Sequence, residues 1–254
     1  MDAPEGNTTI KNIAIIGSSG AIGSALTQQL SVEHPHAHIH AFSRSGTTFN
    51  DSLHTQPQSS NISYHGIDYR DKSIEEAASI ASEMLKLDMV LVTTGILHGD
   101  NLKPEKSLKD LSARQFQHIF EVNTITPALV AKHFIPQLNK EQPSYLAALS
   151  ARVGSISDNH SGGWYAYRAS KAALNMILKT ASIEAKRTHP NSIVVGLHPG
   201  TVDSALSKPF QRNVPKEKLF SADYSARCLL KVLDSLSPQQ SGKIFAWDGT
   251  EIAP

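Results

Sequence analysis

Tyr167 and Lys171 stand four residues apart in GGWYAYRASKAALNMILK, a stretch from Gly162 otherwise rich in core-building Ala, Leu, Ile and Met. Side chains at i and i+4 share one helix face, so the phenol and the ammonium would point together at one ligand. Of six tyrosines only Tyr167 has a lysine four residues later. A free phenol titrates near pH about 10, and a neighbouring ammonium favours its phenolate, which would turn Tyr167 into a usable acid or base with Lys171 as its tuner. Such a pair also arises by chance, so its weight depends on what surrounds it.

Apolar runs of strand length alternate with segments of helical period. NIAIIG (12–17), HIHAF (38–42), ISYHGI (62–67), DMVLVTTG (88–95), SYLAALS (144–150) and SIVVGLH (192–198) read as strands, with KIFAWD (243–248) as a seventh. Helical patterns fall near 22–33, 73–86, 112–139, 164–187 and 221–236. The strands are too uniformly apolar to have a wet face, which predicts a parallel sheet covered on both sides. The expected architecture is one α/β domain over 1–254, a Rossmann-type doubly wound sheet of about seven strands with helices on both faces. The polar stretch 45–61 reads as a surface connection. Tyr167 then begins a helix beyond the fifth strand, at the carboxyl edge where cofactors lie in such sheets.

The first strand-to-helix junction, NIAIIGSSGAIGSALTQQL, places Gly17, Gly20 and Gly23 between an apolar strand and a helix. Glycines there allow a tight turn and close approach of backbone N–H groups, with those of Ser19 and Ile22, to a phosphate at the positive helix end. A dinucleotide is the natural ligand. At the end of the second strand stand Ser43 and Arg44, where an NAD-selective site usually carries a carboxylate; arginine suits the 2′-phosphate of NADP, with NAD as the other option and a solvated loop cation as the bland reading.

Composition excludes several classes. A formal net charge of +1 and no long basic run disfavour nucleic acid or an anionic membrane surface as partners. The single cysteine, Cys228, cannot close an intramolecular disulfide and lies in an apolar helical pattern as a structural thiol. The first residues show neither a basic nor an apolar leader region, so a cytoplasmic protein is expected. Period two would bring His36, His38 and His40 to one strand face, but no carboxylate or cysteine at ligand spacing accompanies them. No metal is expected; they read as a polar strand near the sheet edge.

The glycine turn 17–23, Asp68 in GIDYRD, TTG (93–95), Val122-Asn123 in the long helix, YRASK (167–171) and HPGTV (198–202) follow one another over nearly the whole chain. In that order and spacing they resemble the short-chain dehydrogenase/reductase (SDR) family. LSARVGSISDN followed by GGWYAYRASKAALN looks most like its C-factor and sniffer-type carbonyl reductase branch. The resemblance implies that Asp68 contacts adenine, that Gly95 lies against the adenosine ribose, and that Tyr167 exchanges the proton. Lys171 would also hold the nicotinamide ribose, an oxidised nicotinamide would further favour the phenolate, and Pro199, Gly200 and Thr201 would border the nicotinamide. Asn123 would stabilise a helix kink and hold a water that relays protons to Lys171. Taken singly, Asp68 could cap a helix, Asn123 be a surface polar residue and Pro199-Gly200 form a mere turn.

Two departures accompany the resemblance. The turn reads G-x-x-G-x-x-G, with Ala21 where the family has its second glycine. The catalytic serine is ambiguous: counting back from Gly154 gives Ala151, and counting from Tyr167 points nearer Ser155. Ser150 at the end of the fifth strand is the chosen donor to the substrate carbonyl, with Ser155 in reserve, and either could cap local backbone instead.

The expected function is NADP-dependent interconversion of a carbonyl and an alcohol through a Tyr/Lys/Ser/Asn site. The alternative is a C-factor-like nucleotide-binding signalling or regulatory protein with little turnover. The segments 96–107, 153–165 and 201–220 are expected to wall the pocket, with His98 and His198 near it. The helices over 112–139 and 164–187 carry apolar residues on more than one face; the resemblance implies that these two helices pair across a two-fold axis in a homodimer or a homotetramer of such dimers, the bland reading being that the chain's own loops cover them in a monomer.

Overall fold

The central strands bury both of their faces, and the helices sort themselves onto the two sides accordingly. The computed structural model describes residues 9–46 and 60–254. In chain order the elements are β1 (Asn12–Ile16), α1 (Ala21–Glu33), β2 (His38–Ser43), β3 (Ile62–Gly66), α2 (Asp71–Ser82) and β4 (Met89–Val92). Then follow α3 (Ala113–Phe120), a π-helical turn (Glu121–Ile125), α4 (Thr126–Phe134), β5 (Ser144–Leu149) and α5 (Tyr165–Thr188). The chain continues through β6 (Ser192–His198), β7 (Thr201–Val202), β8 (Leu219–Phe220), α6 (Ala222–Ser235) and β9 (Ile244–Ala246).

Seven strands form one sheet in the order β3-β2-β1-β4-β5-β6-β9, and every pair is parallel. Alternate residues feed two cores. Ala14, Ile16, Val90, Val92, Leu146 and Val194 pack with Ile74, Val130, Phe134, Leu174 and Leu178 from α2, α4 and α5. Ile13, Ile15, Met89, Leu91, Ile193 and Val195 pack with Leu26, Leu30, Leu229 and Leu233 from α1 and α6. The order reverses direction between β1 and β4, and the crevice beyond the carboxyl ends of those strands is where α/β sheets bind ligands.

The seven predicted strands are present, and so are the helices, with two differences. The strand expected over 88–95 ends at Val92, because Thr93 turns to hold the glycine turn, its hydroxyl donating to Ile16 and Gly17 carbonyls at 3.1 and 3.0 Å. The long helix expected over 112–139 is interrupted by the π turn, which shifts the register at Asn123. Cys228 is half-buried in α6. Most of the connection expected over 45–61 falls outside the described residues, as do the first eight.

His36 does not share the strand face expected of it, since it sits in the turn before β2. His38 and His40 stack with ring centres 4.3 Å apart, and His40 Nδ1 lies 3.3 Å from Nε2 of His65 on the edge strand β3. Burial, then the neighbouring imidazoles, push His40 down to about 4, so His40 is neutral polar packing near pH 7.

At the amino end of the sheet, buried Asp88 ties β4 to β1 and to the entry of β5. Its carboxylate accepts from the Lys11 and Asn12 backbone N–H groups at 2.7 and 3.2 Å and from the Asn139 and Gln142 amides at 3.0 and 2.7 Å. Asp88→Ala should leave these donors unpaired and lower unfolding free energy by about 2–4 kcal/mol in urea titration. A loss within about 0.5 kcal/mol, the range of an ordinary surface change, would show that the carboxylate does not anchor the sheet.

Candidate active site

The glycine turn leaves β1 with Gly17 at φ +97, and the Gly17 and Ser18 N–H groups donate to the Phe42 carbonyl at 2.9 and 3.0 Å. A Cβ on Gly23 would stand 2.3 Å from the Gly17 carbonyl oxygen, so α1 can approach the turn only with glycine there. Gly20 is the N-cap of α1 and supplies no side-chain cap, which leaves first-turn N–H groups of the helix open to a ligand. Ser19 and Ile22 are half-buried in the same turn, and Ala21 is the first residue of α1. The buried hydroxyls of Ser18 and Thr94, on the ends of β1 and β4, have no partner among the described residues. Orphaned donors beside an uncapped helix start fit the phosphates of a dinucleotide.

Arg44 is exposed just past β2, close enough to Tyr69 to act on its phenol. Asp68 is exposed too, and its carboxylate accepts the Arg70 N–H at 2.9 Å in the turn before α2. Both lie past the carboxyl ends of β2 and β3, on the side where α1 begins.

Tyr167 and Lys171 occupy the first two turns of α5, and both are withdrawn from water, at 9% and 2% exposure. Lys171 Nζ donates to the Leu149 carbonyl at 2.8 Å and stands 5.8 Å from the centre of the Tyr167 ring. Asn123, fully buried in the π turn, accepts the Ile96 N–H through Oδ1 at 2.8 Å. Its amide donates to the Ile96 carbonyl at 2.9 Å and to the Ser170 hydroxyl at 3.2 Å. The register shift thus lets one side chain join α3, the exit of β4 and α5. Gly95 completes the group: a Cβ there would lie 3.7 Å from Asn123 Oδ1 and 3.9 Å from Lys171 Nζ.

Burial sets the protonation of the pair more strongly than their mutual field does. It pushes the Tyr167 phenol up to about 12, opposite to the lowering expected from the nearby ammonium, and pushes Lys171 down to about 8. Near pH 7 the site therefore holds a neutral phenol ready to donate, and an ammonium retained in a buried position at a cost.

Around Tyr167 one or two side chains arrive from each segment expected to wall the pocket. Leu97 and Ala151 are buried with it, and Val153, Trp164, Leu206 and Phe210 pack against them. The loop carrying Leu206 and Phe210 is closed at its base by β7 pairing with β8, a ribbon that periodicity did not reveal. His98 Nε2 donates to the Ala205 carbonyl of that loop at 3.0 Å, and its ring meets Phe210 edge-on. His198 ends β6 with Nδ1 unpartnered among the described residues, and burial pushes it down to about 4. Pro199, Gly200 and Thr201 follow β6; Gly200 has φ +75, and a Cβ would lie 2.5 Å from the Phe220 ring.

The serine expectation is not matched by this geometry. The Ser150 hydroxyl donates to Asn175 Oδ1 at 2.6 Å, one turn beyond Lys171, because its side chain points at the middle of α5. Ser155 Oγ lies by Ser157 and the Pro254 carbonyl and accepts the Asp158 N–H at 3.1 Å. The side chain from this segment that joins the Tyr167 cluster is Ala151.

The chain is similar over most of its length to known proteins. The family model for short chain dehydrogenase matches residues 11–215. C-signal of Myxococcus xanthus is 34% identical over 147 residues, covering 58% of this chain and 82% of that protein. The 1-hydroxy-2-glutathionyl-2-methyl-3-butene dehydrogenase of Rhodococcus sp. (strain AD45) is 34% identical over 189 residues, 73% of this chain and 77% of that one. Among solved structures, NADPH-bound carbonyl reductase from chicken fatty liver superposes with a TM-score of 0.82 at 24% identity, over 96% of this chain and 99% of that chain. Carbonyl reductase Sniffer of D. melanogaster gives 0.81 at 23%, over 96% and 100%. The chain belongs to the short-chain dehydrogenase family. Within that family it is an oxidoreductase whose fold is that of the carbonyl reductases.

The buried ammonium makes a testable demand on stability. With a folded pKa of about 8 against an ordinary 10.5, the unfolded chain binds the extra proton between those values, so this contribution to stability rises as pH climbs through that window. Lys171→Met should therefore raise the unfolding free energy of the protein alone at pH 7, by about 1–3 kcal/mol, with a gap over wild type that narrows toward pH 10. Denaturant melts at the two pH values check this; a destabilised Met variant would show that the Leu149 hydrogen bond outweighs the burial cost.

Proposed function

We propose that this protein is an NADP-dependent carbonyl reductase, interconverting a carbonyl and an alcohol within a single domain. The observation that carries the reading is the convergence of buried Tyr167, Lys171 and Asn123 on Gly95, beside the uncapped glycine turn with its orphaned hydroxyls. When bound, the nicotinamide supplies the hydride. Tyr167, held protonated by burial, gives its proton to the developing alkoxide. Lys171 holds a ribose and keeps a positive charge beside the phenol once it has lost that proton, and Asn123 fixes the backbone at Ile96 against which these groups stand. Ser150 braces the end of β5 against α5 through Asn175 and takes no proton in this scheme. The apolar wall of Leu97, Ala151, Trp164, Leu206 and Phe210 would keep water from the reacting carbon.

Gly17, Ser19, Gly20, Ile22 and Gly23 are assigned to the phosphates, Asp68 to adenine, Gly95 to a ribose, and Pro199, Gly200 and Thr201 to the nicotinamide edge. Arg44 is assigned to the 2′-phosphate, and the NADPH-bound neighbour supports that cofactor over NAD. A signalling protein with little turnover, the reading that the C-signal likeness suggests, would have no chemical use for a buried phenol held protonated beside that lysine. Among the described residues no helix is long and apolar enough to cross a membrane. A cytoplasmic setting is part of the same proposal.

Tyr167→Phe should abolish NADPH oxidation against a panel of aldehydes, ketones and quinones while changing NADPH affinity no more than about twofold, since it removes a proton and little contact area. Appreciable turnover in that variant would remove Tyr167 from the chemistry. Arg44→Ala should weaken NADPH binding by about 1–3 kcal/mol and barely alter NADH binding, measured by fluorescence titration. Equal losses for both would leave Arg44 a role in the fold alone.

The assembly proposed is a homodimer, or a tetramer of such dimers. A groove of about 580 Å³ lined by Phe116, Gln117, Phe120, Glu121 and Ile125 opens on α3 and the π turn. Ile125, Met176 and Ile183 are exposed at 50%, 66% and 54%. A second copy would cover this apolar surface. Light scattering at micromolar concentration should give a multiple of 27.5 kDa; the single-chain mass would contradict the proposal.

A further inference from the structure

α5 begins without a cap of its own. Its N-cap residue is Trp164, whose indole cannot accept a hydrogen bond, and no side-chain cap comes from that position. The chain reaches it through three successive left-handed residues, Gly162, Gly163 and Trp164, at φ +62, +64 and +52. For tryptophan this is an uncommon conformation, which something must hold.

Glu105 does so from the loop between β4 and α3. Its backbone carbonyl accepts the Trp164 N–H at 2.6 Å, and its side-chain Oε2 accepts the N–H of Ala166, the residue before Tyr167, at 3.3 Å. Its other oxygen takes the Gln115 amide at 2.7 Å, and Gln115 also donates to the Lys103 carbonyl at 2.7 Å. The side chain is 1% exposed. A carboxylate so buried needs compensation, and here it comes from the N–H groups and the positive end of the helix that begins the active site. The turn it holds aims the Trp164 indole at the Tyr167 ring, 6.2 Å between centres, and at Phe210, 5.0 Å.

We propose that Glu105 is a positioning residue for the reaction: it caps the first turn of α5 from the substrate-side loop and so fixes both the Tyr167 phenol and the Trp164 wall. The proposal rests on the reading of Tyr167 as proton donor. Glu105 touches neither reactant. Replacing its side chain leaves the Ala166 N–H without this acceptor and the Gln115 amide with the Lys103 carbonyl alone, while the backbone carbonyl still holds the Trp164 N–H, so the geometry at the phenol loosens and the glycine turn, at the ends of β1 and α1, is unaffected.

The test uses the full chain with NADPH and the best substrate of the panel. Glu105→Ala should lower kcat about tenfold or more with NADPH affinity within about twofold, the size and pattern of a lost cap that misplaces a proton donor. Glu105→Gln, which still offers an oxygen to Ala166, should recover most of that loss. In a Trp247→Phe background Trp164 is the only tryptophan left, and its emission should shift to the red in Glu105→Ala and return in Glu105→Gln. Gln115→Ala, which removes one brace of the carboxylate, should give a smaller loss of the same pattern if Glu105→Ala fails to fold. A kcat within about twofold of wild type in Glu105→Ala, or a loss shared equally by NADPH affinity and not restored by Gln, would overturn the proposal. Emission is read without turnover, so an inactive wild type would sink the reading of the site while the hold of Glu105 on Trp164 is still decided.

Discussion

Lys171 is kept out of water with one carbonyl, that of Leu149, as its hydrogen-bonded partner, and the rest of the molecule is arranged around sustaining that placement. An ammonium in this position is unfavourable for the protein alone, which is why its pKa falls to about 8. The cost is tolerated because β5 and α5 are fixed by a large core: Leu174 and Leu178, one and two turns on, are buried against Leu146 and Val194. Gly154 lets the exit of β5 press against Lys171, where a Cβ would come within 2.8 Å of the lysine's own. The helix cannot rotate away from the site without breaking these contacts.

The same sheet that fixes the lysine also places the glycine turn beside it. β1 and β4 are neighbours from which the chain proceeds in opposite directions, and the carboxyl ends of such a strand pair are where α/β sheets open a crevice. Thr93, Thr94 and Gly95 leave β4 there, facing the glycine turn on one side and Asn123 and Lys171 on the other. Glycine turn and buried pair are thus consequences of one topology, with the uncapped turn at the start of α1 and Tyr167 and Lys171 at the start of α5.

What was legible in the sequence was what short spacings encode. Apolar runs of strand length gave the strands and period 3.6 the helices, the three glycines gave the turn, and the i,i+4 rule placed Tyr167 and Lys171 on one face. Relations that depend on where distant segments meet were not legible. Ser150 was expected to serve the substrate, yet its direction depends on Asn175, 25 residues away. Tyr167 was expected to titrate low beside an ammonium, but the burial that governs it comes from Trp164, Leu206 and Phe210, which no local pattern joins. Glu105 in KPEKSL looks like any exposed acid among lysines; its partner Ala166 lies 61 residues on, and only the left-handed Gly162-Gly163 approach hinted that α5 starts in an unusual way. The π turn at Asn123 leaves the hydrophobic period almost intact, so the long helix read as continuous.

The central claim is that this site moves a hydride to a carbonyl carbon, and isotope tracing tests it most directly. The full chain would be incubated with NADPH deuterated at the nicotinamide C4 position and a panel of aldehydes and ketones, and the products analysed by mass spectrometry. The account predicts an alcohol carrying one deuterium on the carbon that bore the oxygen, formed only with protein present. Tight binding of NADPH with no deuterated alcohol from any member of the panel would contradict it.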